Sequence, residues 1–150
     1  MADDDSGAAV VEFIFLSLLL LIPVLYLVLT LAQVQAAAFA AEAVARDVSR
    51  SAVVGGVDAL QDGESYAAAE RAGRERADAA LESTLADFKV DPDLAEVEVG
   101  CSTSPCFTPG SNVDVAVTIE VRLPGIGALV PRAVVTVDAR GSSPVDGYLP

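Results

Sequence analysis

Apolar residues are unevenly spread along this 150-residue chain. From Phe13 to Ala32 no residue is charged, and Leu, Ile, Val and Phe dominate. About 20 residues rising about 1.5 Å each cover about 30 Å, the thickness of a bilayer's hydrocarbon core, so the run predicts a transmembrane helix. Pro23 sits in its middle and removes one backbone donor. In a membrane helix this gives a kink rather than a break, because neighbouring groups re-satisfy the freed carbonyl. Past the span, Gln33 to Ser51 is rich in Ala, with Phe39, Glu42, Arg46 and Arg50 recurring at spacings of three and four. The helix is therefore expected to continue outward, with Glu42 and Arg46 able to pair along one face. It should end near Gly55-Gly56, where adjacent glycines permit a left-handed cap.

After a loop expected over Val57–Gly63, Tyr66, Ala69, Gly73, Ala77, Leu81, Leu85 and Phe88 recur every three or four residues. Glu70, Arg71, Glu75, Arg76, Asp78 and Glu82 fill the opposite side. This is the pattern of an amphipathic helix whose charged side is solvated. The period then falls to two. Val97 and Val99 alternate with Glu96 and Glu98. Val113, Val115, Val117, Ile119, Val121 and Leu123 alternate with more polar neighbours, and Ala133, Val135, Val137 and Ala139 form a third such run. Each reads as a strand with one buried face. Turn residues Pro109-Gly110-Ser111-Asn112 and Pro124-Gly125-Ile126-Gly127 join them, which predicts an antiparallel meander covered by the Tyr66–Phe88 helix. The expected fold class is α+β: a long N-terminal transmembrane helix continuing outward, then one amphipathic helix on a three-stranded antiparallel sheet. Gly141 to Pro150 reads as a flexible tail.

Composition narrows the chemistry. The chain has a formal net charge of -13 with 53% hydrophobic residues, and it contains no His and no Trp. Without His, triads of the Ser-His-Asp kind and His-ligated zinc have no candidates. Nine basic residues, scattered along an acidic chain, do not suit phosphate neutralisation, so no nucleic-acid partner is expected. Glu96 and Glu98 share one strand face with nothing apolar around them to perturb a carboxyl. Lys89, the only lysine, falls at a helix end beside Asp87 and Asp91 and reads as a cap or surface pair. No phosphate-binding glycine motif or EF-hand spacing occurs. The expectation is a non-enzyme with no cofactor, metal site or small-molecule substrate.

Cys101 and Cys106 enclose four turn-forming residues. A disulfide closing this small loop contributes about 2 kcal/mol in the chain-entropy model and persists only in oxidising compartments. Two free thiols are the alternative, since metal binding would need further ligands. A cleaved secretory signal is the alternative to a membrane anchor. Ala36-Ala37-Ala38 offers small residues for cleavage, but Asp3-Asp4-Asp5 replaces the basic n-region and the apolar run exceeds the usual signal length.

Glu12 stands at the edge of the apolar run. A carboxylate there needs a partner or a position among the lipid headgroups. Its neighbours are Gly7-Ala8-Ala9-Val10-Val11-Glu12-Phe13: a short polar leader, a glycine, four small or apolar residues, the acid, then an aromatic that opens the span. This string resembles the processing site of type IV pilin-like proteins, in which a prepilin peptidase cuts after the Gly and leaves Glu as the fifth mature residue. With Pro23 and the Ala-Arg stretch Ala41–Arg50, the first 50 or so residues are similar in particular to TadE-like proteins, minor pseudopilins of tight-adherence pili, and to their TadF-like sisters. The acidic leader Met1–Ser6 departs from that pattern, in which Lys or Arg is common.

The resemblance implies a leader at 1–7 and a mature chain starting at Ala8; joined to the residue patterns above, it gives a transmembrane and extended helix over 8–54, an extracytoplasmic domain over 55–140 and the tail over 141–150. It also implies a cytoplasmic N-terminus, and as partners the membrane, the prepilin peptidase, other pilin-like subunits and the pilus assembly machinery. By itself the positive-inside rule leans the other way, since the nearest basic residues, Arg46 and Arg50, both follow the span. A disulfide between Cys101 and Cys106 agrees with an outward domain. The alternative function is a single-pass anchored binding module unrelated to pili, with Glu12 merely interfacial.

Overall fold

The computed structural model describes residues 4–123 and 134–146. Helix α1 spans Asp4–Gln61 and helix α2 spans Tyr66–Phe88. A short 3-10 turn at Pro92–Leu94 leads into strands β1 (Ala95–Cys101), β2 (Asn112–Arg122) and β3 (Val134–Pro144). The strands form one antiparallel sheet in the order β1-β2-β3. The chain is thus α+β as the pattern predicts, with a long apolar N-terminal helix and a sheet packed against helices. It divides into two compact units, Met1–Gln33 and Val34–Pro150.

The first unit contains only the opening stretch of α1. Every residue from Gly7 to Gln33 is exposed except Tyr26 and Thr30, which are partly buried, and the Thr30 hydroxyl donates to the Tyr26 carbonyl at 2.9 Å. This helix is long and apolar enough to cross a membrane. The helix continues through Pro23, whose missing N–H leaves the Leu19 carbonyl without its usual donor.

In the second unit the sheet has one covered and one open face. Odd-numbered β2 residues Val113, Val115, Val117 and Ile119 are at most 2% exposed, while Asn112, Asp114 and Glu120 are exposed, as strand alternation requires. The cover comes from two helices. Ala37, Ala41, Val44, Val48 and Ala52 recur at helical spacing along α1 and are buried in the same core as Ala69, Ala77 and Leu85 of α2. Backbones approach closely here: a Cβ on Gly141 would strike the Ala45 carbonyl, and one on Gly55 would lie 2.7 Å from the Ala72 oxygen. Polar pins cross the same contacts. The Ser49 and Ser143 hydroxyls lie 3.0 Å apart, Thr84 donates to Asp47 at 3.3 Å, and Arg76 pairs with Asp58 at 3.4 Å.

The structure corrects four sequence expectations. First, α1 does not end at Gly55-Gly56, and Val57–Gln61 is helix rather than loop. The terminating residue is Gly63 at φ +82, where Gly63 N–H bonds Leu60 and Glu64 N–H bonds Ala59, a Schellman closure. Gly55 and Gly56 stay helical because their missing side chains admit close neighbours. Second, the part of α1 from Ala37 to Ala52 shares the covering of the sheet with α2. Third, the compact domain therefore starts at Val34 and not at residue 55. Fourth, β3 continues through Gly141 to Pro144, and Val145 is buried and paired with Ser111, so the flexible tail does not begin at Gly141. The expected turn Pro124–Gly127, Ala133 of the third strand and residues 147–150 lie outside the described residues.

Candidate functional site

Gly7, Ala8, Glu12 and Phe13 all lie within α1 and are exposed, Phe13 at 71%. A side chain at Gly7 would meet nothing within 4 Å. Nothing in the packing therefore demands glycine at this position, whereas glycine is about 1 kcal/mol less favourable than Ala in a helix and loosens the turn it occupies. Glu12 makes no ion pair or side-chain hydrogen bond among the described residues. The structure thus places a bare carboxylate at the start of an uncovered apolar helix, four residues after Ala8 and hence on the same helical face.

The second predicted site is the loop between β1 and β2. Cys101 and Cys106 are joined, with Cα atoms 5.6 Å apart, inside the range that a disulfide requires. The loop is cross-braced. Thr103 and Thr108 hydroxyls lie 2.7 Å apart, Thr108 donates to the Pro105 carbonyl at 3.0 Å, and Asn112 N–H donates to Ser102 Oγ at 2.8 Å. Glu70 on α2 accepts from Cys106 N–H at 3.3 Å, which fastens the loop to the helix.

Sequence reasoning missed what this loop carries. Phe107, directly after the second cysteine, is 3% exposed and holds a left-handed backbone at φ 61. A bulky residue there is strained, by roughly 1–3 kcal/mol, and persists only when its surroundings fix it. The surroundings are two glycines. A Cβ on Gly56 of α1, or on Gly73 of α2, would fall 2.6 Å from the Phe107 ring. The ring wedges between the helices at the one level where both lack side chains. A phenylalanine beside a cysteine loop, and glycines on two helical faces, were the available signals, but only tertiary structure joins them.

A groove of about 560 Å³ opens beside this wedge, between α2 and the outer edge of β1. Ala77, Val97, Val99 and Val113 line its apolar part, and Glu70, Arg74 and Asp78 belong to its polar rim. Val99 points to the covered face of the sheet yet is 49% exposed, because α2 does not reach over it. Glu96 and Glu98, by contrast, stand on the open face, and Lys89 forms the left-handed C-cap of α2. Among the described residues no group of three or more His, Cys, Asp or Glu is placed to hold a metal ion.

No protein-family model matches the chain, and neither a curated protein nor a solved structure is significantly similar to it.

Proposed function

We propose that this chain is a membrane-anchored minor pilin or pseudopilin of the TadE-like kind, taking part in the assembly of a tight-adherence pilus. The observation that carries this reading is the string Gly7–Phe13 running straight into an exposed apolar helix, with Glu12 unpartnered at its start. In this reading the N-terminus is cytoplasmic and the domain from Val34 onward is extracytoplasmic, where the Cys101–Cys106 disulfide persists. A prepilin peptidase removes Met1–Gly7. The freed amine of Ala8 then pairs with Glu12 on a neighbouring pilin-like helix, and this contact sets helix register at the membrane edge, where an unpaired charge is costly.

The test is the intact mass of the chain from cells with and without an active prepilin peptidase. Loss of residues 1–7 only when the peptidase is present is expected, and Gly7 replaced by a bulky residue should remain uncut. An unshortened chain beside active peptidase overturns the reading. Glu12→Gln should then leave insertion and cutting intact while reducing co-purification with pilin subunits. The groove beside β1 favours a second reading, an anchored binding module unrelated to pili. That reading predicts an uncut N-terminus and full tolerance of Glu12→Gln.

A further inference from the structure

We propose that the outer edge of β1 is a docking site for an extended segment of another protein, alternating apolar and basic residues, which adds to the sheet as a fourth strand. The proposal does not rest on the pilus reading. It begins with backbone accounting. Ser102 N–H bonds the Asn112 carbonyl, so the paired positions alternating from it, Gly100, Glu98 and Glu96, turn their backbone groups toward β2. Val97 and Val99 consequently turn theirs outward. No strand pairs with this edge among the described residues. Unpaired edges of this kind are templates for strand addition.

Side chains specify the occupant. Val97 and Val99 lie on the same face as the core residues Val117 and Val115, to which they are paired, yet Val99 is 49% exposed over the 560 Å³ groove. In an added strand, residues opposite Val97 and Val99 would share their face and enter the groove, which calls for apolar side chains. Residues opposite Glu96 and Glu98 would stand on the open face beside two carboxylates, which calls for Lys or Arg. The same charges argue against a second copy of this chain at the edge, because self-pairing of β1 would bring glutamates against glutamates in a chain of net charge -13. The opposite edge of the sheet differs. Along β3 the covered face is closed by α1, with Gly141 against the Ala45 backbone and Ser143 bonded to Ser49.

The experiment uses the full chain in nonionic-detergent micelles and a capped, labelled peptide of about six residues alternating Val and Lys, long enough to span the free edge. Saturable binding by fluorescence anisotropy is expected. It should weaken about tenfold or more, the equivalent of one decade in Kd, with Val99→Lys and with Glu96→Lys combined with Glu98→Lys. Val99 is half exposed and both glutamates are exposed, so retained amide protection in β2 will show that each variant is folded. Bound peptide should slow hydrogen exchange at Val97 and Val99, and N-methylation of the peptide amides facing β1 should abolish binding. Absence of binding by the unmodified peptide, equal binding of its N-methylated form or of a Val-Glu analogue, or new protection along β3 instead of β1 would each overturn the proposal.

Discussion

Helix α1 is apolar for most of its length, but its residues before and after Gln33 meet opposite packing conditions. In the opening stretch the side chains are large and open: Val10, Phe13, Leu20 and Leu31 are 58, 71, 70 and 55% exposed. In the later stretch they are small and closed: Ala40, Ala41, Val44 and Ala45 are fully buried. Bulk is what a lipid-facing surface needs, since each added methylene increases the apolar area kept from water. Smallness is what a backbone contact needs, since β3 and α2 approach the helix too closely for larger side chains. Between Phe13 and Leu31 only Ser17 and Thr30 are small, so that stretch has no seam of small residues for tight helix pairing. Ala8 and Ala9, just before that stretch, are both small.

Matched substitutions test that contrast, and the largest effect is expected at phenylalanine. Phe107→Ala removes the wedge between Gly56 and Gly73 and leaves a hole that rigid helices cannot fill, costing the domain about 3–5 kcal/mol. Phe13→Ala should leave the domain's stability unchanged, because Phe13 is exposed and is not one of the core residues. Amide exchange in β2, followed in micelles, reports both. Equal destabilisation by the two changes would break the distinction between the stretches.

Glycine gives the second pair. Gly141→Val drives a branched side chain into the Ala45 backbone, where no rotamer avoids the collision, and about 1–3 kcal/mol of stability should be lost. Gly7→Val meets open space and should leave the fold intact, while the cutting proposed above should stop. Denaturant titration with the same exchange readout, alongside intact mass, separates the two consequences. A smaller effect is expected from reduction of Cys101–Cys106. Releasing a short loop costs about 2 kcal/mol, so the strands should stay protected while Phe107 contacts loosen. Collapse of the whole sheet on reduction would mean that the loop, rather than the two helices, organises the core.

Legibility in the sequence followed side-chain contrast. Helix α2 could be read over Tyr66–Phe88 because charged and apolar residues occupy opposite faces, and Ala69, Gly73, Ala77 and Leu85 of the expected face are buried. The alternation of β2 likewise marked its buried residues. Along Gln33–Ser51, alanine occupies every face, so periodicity carries little information. The conspicuous residue there, Phe39, is 66% exposed, and the buried seam lies among alanines that look like their neighbours. Gly141-Ser142-Ser143-Pro144 reads as tail because its stability comes from partners distant in sequence, Asn112–Val115 and Ser49. Of the candidate sites, Gly7–Phe13 and the cysteine pair were visible as local strings. The Phe107 wedge and the β1 groove were not, since each exists only where separate elements pack together.

The smallest effect should come from the pair that periodicity brought out first. Arg46 does pair with Glu42, one turn apart, but the two side chains are 70% and 57% exposed. Water screens such a pair, and ordering two long side chains offsets much of its Coulomb attraction, so it contributes about 0.5 kcal/mol or less. Arg46→Gln should therefore shift the unfolding midpoint by little, and less still at high salt. Ala45→Leu, one residue earlier but on the covered face, should destabilise far more, because its extra volume meets β3 directly. Adjacent positions differing this widely would confirm that the later stretch of α1 acts through its small buried residues. If Arg46→Gln proved as damaging as Ala45→Leu, the charged stripe would itself be holding a structure that its exposure gives no reason to expect.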